Sequence, residues 1–139
     1  MICPNCRTDS LVRVKSKKAD VELDVCRKCK GVWFDREEIN LLLDVAAKEL
    51  KVPNGAKESM RACPHCRRLL YTFDYPQTLV PVDMCRKCDG LWLDAGEGKE
   101  IKSVRERLQR KGELDEYAPV AGLKGGLLSL INKAIEVLS

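Results

Sequence analysis

The sequence predicts a small, metal-stabilised α+β fold made of two tandem copies of one unit, each a β-hairpin followed by an α-helix. Three observations predict it. The segment CRKCKGVWFD at 26–35 returns as CRKCDGLWLD at 85–94, with seven identical positions. All eight cysteines occur in Cys-x-x-Cys pairs. The chain has 139 residues, which suits one ordinary domain or two very small ones.

The cysteine pairs have the spacing of four-sulfur metal sites. The two pairs of each copy are separated by 19 and 18 residues, within the range typical of tetrahedral zinc sites. The N-terminal segment lacks the pattern of a secretory signal, so we expect a reducing, cytoplasmic location in which cysteines hold metal. We predict two Zn²⁺ ions, with iron, disulfides or redox-active pairs as alternatives. The predicted ligands are Cys3, Cys6, Cys26 and Cys29 in site 1, and Cys63, Cys66, Cys85 and Cys88 in site 2.

Each copy contains the same elements in the same order. A first Cys-x-x-Cys turn precedes a strand-like run (11–14 or 69–73), a polar turn and a second strand-like run (21–25 or 79–83). Two such turns at the ends of a β-hairpin can close a four-cysteine tetrahedron, which is the arrangement of a zinc ribbon. Each copy has only about 50 residues, so metal binding would supply much of its folding free energy.

Each residue that repeats in the tail after the second cysteine pair has an expected structural role. The glycine is expected to turn the backbone with positive φ, and the tryptophan to supply a large apolar surface. The aspartate is expected to cap a helix, with a glutamate three residues later completing a capping box. Base stacking or partner docking by the tryptophans is the alternative. These positions are Gly31, Trp33, Asp35 and Glu38 in the first copy, and Gly90, Trp92, Asp94 and Glu97 in the second.

The two predicted helices differ in surface character. The first has more apolar surface than one small ribbon can cover, with Leu41 and Val45 beside its main apolar stripe. The second has a narrow apolar stripe and is expected to stop at Gly112. Its basic face is either simply solvated or, alternatively, a nucleic-acid interface. That face contains Lys99, Lys102, Arg105, Arg107, Arg110 and Lys111.

The predicted organisation ends in a C-terminal amphipathic helix. It is too short to cross a membrane, and its wide apolar face should be buried against the first helix or against a second subunit in a homodimer. With Leu41 and Val45, the predicted partner or oligomer surface contains Leu127, Leu130, Ile131, Ile135 and Leu138. The predicted segments are ribbon 1 with its helix (1–52), a linker (53–61), ribbon 2 with its helix (62–112), a linker (113–126) and the C-terminal helix (127–139).

Charge and site chemistry favour a non-catalytic protein. The formal net charge is +4, but two zinc ions held by eight thiolates would bring it to about zero, which weakens general attraction to nucleic acid. A closed site of four cysteines leaves no open position for a substrate. His65 is the one histidine, and we expect it to be a turn side chain rather than a metal ligand.

The pattern CPxC…CxxCxGxWxDxxE, at 3–43 and 63–101, resembles the bacterial zinc ribbons grouped as transcription-factor-IIB-type zinc-finger domains. Similar proteins have a proline where Arg27 and Arg86 stand here, and an apolar residue in place of Gly98. The resemblance implies a link to transcription, and the ribbon of the general factor docks on RNA polymerase. We predict an adaptor or regulator that acts through protein–protein contacts. A nucleic-acid-binding regulator is the alternative, and a rubredoxin-like electron carrier is less favoured.

Overall fold

A computed structural model describes residues 1–16, 21–42, 50–76 and 78–112. Within these residues the chain forms one sheet and two helices. The strands are β1 (Leu11–Ser16), β2 (Val21–Cys26), β3 (Val32–Phe34), β4 (Lys57–Ala62), β5 (Leu69–Asp74), β6 (Pro81–Met84) and β7 (Leu91–Leu93), and the helices are α1 (Arg36–Leu42) and α2 (Glu97–Arg110). The strand order across the sheet is β1-β2-β3-β7-β6-β5-β4.

The two cysteine-rich copies share this single sheet. Each copy contributes its predicted hairpin and a short third strand, giving β1-β2-β3 and β5-β6-β7. The third strands are the VWF and LWL of the repeated tail, and they pair antiparallel with Trp33 opposite Trp92. The repeat therefore places the two copies about an approximate twofold axis at the β3–β7 seam.

One strand lies within the segment that the sequence predicts to be a linker. Strand β4 covers residues 57–61 of the predicted linker at 53–61, continues to Ala62 and pairs antiparallel with β5. Its register shifts between Glu58 and Ala62, which indicates a β-bulge or a similar irregularity. The linker is thus partly an edge strand of the shared sheet.

Strand alternation divides the buried side chains between the two faces of the sheet. Val32 and Phe34 point to one face, where they join an apolar core that includes Ile39 of α1 and Ile101 of α2. Trp33 points to the other face and packs in a separate cluster. The members of that cluster are Cys3, Leu11, Cys26, Trp33, Cys63, Leu70, Cys85 and Trp92. The helices therefore cover one face, and the cysteines and tryptophans occupy the other.

Each tryptophan packs on the repeated glycine of the opposite copy. A Cβ atom added to Gly31 would lie 2.3 Å from Cζ2 of Trp92, and one added to Gly90 would lie 2.1 Å from Cζ2 of Trp33. Positive φ falls one residue earlier, at Lys30 (65°) and Asp89 (60°). The expectation that these glycines provide positive φ is therefore wrong. They are glycines because an indole ring occupies the space of a side chain.

The two helices begin differently. Helix α1 starts directly after Asp35, whose carbonyl accepts a hydrogen bond from the Ile39 N–H at 3.0 Å. Helix α2 starts only at Glu97, after a turn in which the Glu97 N–H donates to the Asp94 carbonyl at 3.1 Å. Asp94 therefore does not immediately precede its helix. Helix α2 ends at Arg110, and Gly112 follows with φ of 71°, as expected for a helix stop.

Several sequence predictions lie outside the described residues. They concern the part of the first helix at 43–49, which includes Val45, the linker at 113–126 and the C-terminal helix at 127–139. Leu41 lies within α1. The apolar partner surface thus stays a prediction.

The reciprocal tryptophan–glycine contacts predict energetic coupling across the seam. Gly90→Ala should destabilise the protein by about 1–3 kcal/mol, because the new methyl group overpacks against Trp33. Trp33→Phe also destabilises, but the smaller ring makes room for the methyl group. The double variant should therefore lose less stability than the sum of the single variants, by at least about 1 kcal/mol. Chemical denaturation of the metal-loaded protein measures this difference.

A crossed pair of substitutions provides the matched control. Gly31 contacts Trp92 rather than Trp33, so Gly31→Ala and Trp33→Phe should be additive within about 0.5 kcal/mol. Additivity in both pairs would contradict the proposed reason for the glycines.

Candidate metal centres

The first four cysteines form one compact group of sulfur atoms. Cys3 and Cys6 come from the turn before β1, and Cys26 and Cys29 from the turn between β2 and β3. The Sγ atoms of Cys3 and Cys29 are 3.7 Å apart, and those of Cys6 and Cys26 are 3.8 Å apart. A zinc–sulfur distance of about 2.3 Å requires an edge of about 3.8 Å in a regular tetrahedron. These distances fit four thiolates around one ion and are too long for a disulfide bond in either of the two pairs.

The second group repeats this geometry. Its four sulfur atoms lie within 4.8 Å of one another, as in the first group, and the Sγ atoms of Cys63 and Cys88 are 3.7 Å apart. Cys63 and Cys66 precede β5, whereas Cys85 and Cys88 flank the turn between β6 and β7. The chain therefore contains two four-cysteine metal sites, one in each copy.

One metal-binding turn of each site is covered by a tryptophan of the opposite copy. The turn from Cys85 to Gly90 is closed by a hydrogen bond from the Cys85 N–H to the Gly90 carbonyl at 2.9 Å, and Trp33 lies against Gly90. The turn from Cys26 to Gly31 has the same 2.9 Å bond, and Trp92 lies against Gly31. Each metal-binding turn is therefore packed under the tryptophan of the other ribbon.

Comparison with known proteins agrees with this geometry. The family model described as transcription factor zinc-finger matches residues 2–45 and 62–104, which together make up more than half of the chain. The chain belongs to this family. Each matched segment contains one four-cysteine site, so the resemblance predicted from the sequence is confirmed. No curated protein and no solved structure matches the chain. Among the described residues, no helix has the length and apolar character needed to cross a membrane.

In site 1 of this zinc-finger family member, hydrogen bonds stabilise the thiolate form of Cys26. Burial alone would raise the pKa of Cys26. Donors from the Cys29 and Lys28 amides and the Ser10 hydroxyl outweigh burial and lower that pKa to about 6. Burial instead raises the pKa of Cys3, so that thiol needs the metal ion to lose its proton.

Site 2 has the same division among its thiols. The pKa of Cys85 is lowered despite its burial, through hydrogen bonds from the backbone at Cys88 and Lys87. Burial raises the pKa of Cys63 to about 11 and also raises the pKa of Cys88. In both copies the pKa of the first cysteine of the second pair is therefore lowered, whereas burial raises the pKa of the first cysteine of the first pair.

The basic residues beside the cysteines are exposed rather than packed against the sulfur atoms. Arg27 and Lys28 are exposed in site 1, as are their counterparts in site 2. The Arg86 guanidinium lies 4.1 Å from the centre of the Tyr71 ring, which is cation–π geometry. The side chains of Lys99, Arg107 and Arg110 on α2 are exposed, as is that of Lys111 just after it, whereas the side chains of Lys102 and Arg105 are not among those that the structure describes.

The sequence interpretation missed a row of buried carboxylates beside the tryptophans. Asp24 lies opposite Trp33 in the sheet, and Asp83 lies opposite Trp92, so each aspartate shares the tryptophan face. Both are buried. The repeat itself carries a signal for this pair, since an aspartate stands two residues before Cys26 and again two residues before Cys85.

The repeated Asp and Glu of the tail contact more than the helix ends. The Asp35 N–H donates to Glu38 Oε2 at 2.8 Å, and the Asp94 N–H donates to Glu97 Oε2 at 3.0 Å, which is the glutamate half of the predicted capping box. Each aspartate also accepts a hydrogen bond from the tryptophan two residues earlier, at 3.3 Å for Asp35 and 3.0 Å for Asp94. The tail therefore connects the seam to the start of α1 and to the turn before α2.

Burial makes both capping glutamates weak acids. It raises the pKa of Glu38 to about 8, with the Asp35 and Asp24 carboxylates adding to the rise. It also raises the pKa of Glu97 to about 8, with the Asp94 carboxylate adding to it. The folded protein thus favours the neutral acid, and this contribution to stability is present at low pH and is lost as pH rises from 4.5 through about 8.

Replacing Glu38 should reduce the dependence of stability on pH. Glu38→Gln keeps a neutral acceptor for the Asp35 N–H but cannot ionise. Between pH 6.5 and 9, the free energy of unfolding of the metal-loaded wild-type protein should fall by about 1–3 kcal/mol more than that of the variant. Denaturant unfolding across this range measures the difference. Glu37→Gln, at an exposed position in the same helical turn, should follow the wild-type curve, and an equal flattening in both variants would contradict the assignment.

Proposed function

We propose that the protein is a non-catalytic, zinc-binding adaptor or regulatory protein that acts through protein–protein contacts in the cytoplasm. The observation that carries this proposal is the closure of both metal sites. Each site has four sulfur atoms of this chain within 4.8 Å of one another, so a tetrahedral ion has no position left for a substrate. The metal therefore serves the fold, and function falls to the surface of the sheet and its helices.

Zinc is the metal that fits this role best. It accepts four thiolates in tetrahedral geometry without redox chemistry, and such sites stabilise small folds. A rubredoxin-like iron centre uses the same donor set and gives a red protein. Elemental analysis of the purified protein should find two zinc atoms per chain. Two iron atoms in a red sample would instead support electron transfer.

Exposed apolar side chains on β4 and beside the second ribbon support contact with another protein. Met60, on β4, is 80 % exposed, and Leu79, in the connection between β5 and β6, is 88 % exposed. Strand β4 is also the last strand of the sheet, and no strand among the described residues pairs with its outer side. A partner protein commonly binds such an edge strand by adding an extended segment of its own to the sheet.

A nucleic-acid-binding regulator is the second candidate. It is favoured by the exposed basic side chains of α2, which include Arg107 and Arg110. Such a surface would bind phosphates with an affinity that falls steeply with salt.

Two sets of variants, each with its own binding assay, separate the two functions. A tagged full-length protein with Met60→Glu and Leu79→Glu should lose partners that the wild-type protein recovers from its host, while a Lys57→Gln variant on the same strand should keep them. DNA and RNA titrations at two salt concentrations, with Arg105, Arg107 and Arg110 reversed to Glu, test the alternative. Micromolar, salt-dependent binding that those reversals abolish would overturn the adaptor proposal.

A further inference from the structure

The two copies contain equivalent pairs of carboxylates, but they neutralise them differently. In the second copy, Nη1 of Arg61 lies 2.7 Å from Asp83 Oδ2 and 2.6 Å from Asp94 Oδ2. One positive charge thus bridges the strand aspartate and the tail aspartate. Thr72 also donates to Asp83 Oδ1, so both carboxylate oxygens of the buried strand aspartate have a partner.

The equivalent pair in the first copy, Asp24 and Asp35, has no bridging guanidinium among the described residues. Asp24 is 1 % exposed, and its Oδ1 accepts from Arg13 Nε at 3.3 Å. Its Oδ2 is fully buried and has no hydrogen-bond partner within the part of the chain that the structure describes. A buried carboxylate oxygen without a partner is costly, and a bound ion or water is a common reason for one.

His65 reaches this pair from the other ribbon. Its Nε2 lies 3.3 Å from Asp35 Oδ1, and one ligand atom from each of Asp24, Asp35 and His65 lies within 4.8 Å of the other two. The corresponding residue of the first ribbon is Asn5, whose Oδ1 accepts from Nη2 of Arg61 at 3.0 Å. Asn5 of the first ribbon thus faces the carboxylates of the second copy, where Arg61 bridges them, and its amide oxygen accepts from that arginine. His65 of the second ribbon faces the carboxylates of the first copy, which no guanidinium bridges among the described residues.

We propose that Asp24, Asp35 and His65 form a third metal site, for a divalent transition-metal ion such as Zn²⁺, at the boundary between the two ribbons. The ion would take the place that Arg61 fills in the second copy and would give Asp24 Oδ2 its partner. One imidazole nitrogen with two carboxylate oxygens is a donor set typical of zinc and its neighbours, whereas Ca²⁺ and Mg²⁺ take oxygen ligands.

The surroundings allow such an ion to exchange with solvent. The side chains of Asp35 and His65 are 40 % and 39 % exposed, so the site opens outward from buried Asp24. Three protein ligands leave a further position for water, unlike the closed four-cysteine sites. We therefore expect the third ion to bind more weakly than the two ions held by thiolates, and to link Asp24 and Asp35 of one ribbon to His65 of the other.

Counting bound zinc tests this site directly. The full-length protein, loaded with two Zn²⁺, is dialysed against increasing free Zn²⁺, and bound metal is measured per chain. A third equivalent is expected in the wild-type protein. His65→Asn, which places in the second ribbon the residue found at the same position of the first, should weaken that equivalent by at least about tenfold, as should Asp24→Asn. Glu37→Gln replaces an exposed acid on α1 and removes one negative charge, as Asp24→Asn does. It should change the affinity for the third zinc ion by less than about twofold.

Cobalt spectra show whether the variants keep their folded four-cysteine sites. The thiolate-to-cobalt absorption of the Co²⁺-loaded protein should have the same intensity per chain in the wild type, in His65→Asn and in Glu37→Gln. If Asp24→Asn loses this absorption, His65→Asn and Asp35→Asn decide the matter. Binding of only two equivalents by the wild type would overturn the proposal. So would a third equivalent that His65→Asn leaves unchanged, or one that Glu37→Gln weakens equally.

Discussion

The packing of each tryptophan on the glycine of the opposite ribbon is the contact on which the rest of the structure depends. It brings β3 and β7 together, joins two three-stranded ribbons into one sheet, and covers the metal-binding turn that contains Gly31 or Gly90. Because each ring lies over the other ribbon's metal-binding turn, we expect ordering of one metal site to favour ordering of the other.

The carboxylates beside this seam show how a repeated structure can acquire different chemistry in its two halves. Asp24 and Asp83 occupy equivalent positions of the sheet, as do Asp35 and Asp94 of the tails. The buried aspartate of each pair needs compensation by positive charge, which Arg13 gives to Asp24, whereas Arg61 pairs with both Asp83 and Asp94. The shared fold keeps the acids in place, while the side chain that faces them has changed.

The sequence was sufficient to predict the metal sites, because ligand spacing is a local property. The Cys-x-x-Cys pairs, the hairpins between them and the glutamates that bond to Asp35 and Asp94 all follow from short-range patterns. The joint sheet could not be predicted in this way, because a three-residue strand has no periodicity of its own and its partner lies almost sixty positions away. For the same reason the local pattern around Gly31 suggests a turn glycine, whereas its steric constraint comes from Trp92.

Antiparallel pairing of Trp33 with Trp92 has a consequence for assembly. A seam in which equivalent residues face each other across a twofold axis is isologous, so each ribbon presents a surface that is complementary to a copy of itself. Covalent linkage within one chain favours the internal pairing through high effective concentration. The same surface would still allow two chains to exchange ribbons with no interface other than this seam. In that exchanged form, a tryptophan of the other molecule would cover the metal-binding turn that contains Gly31 or Gly90.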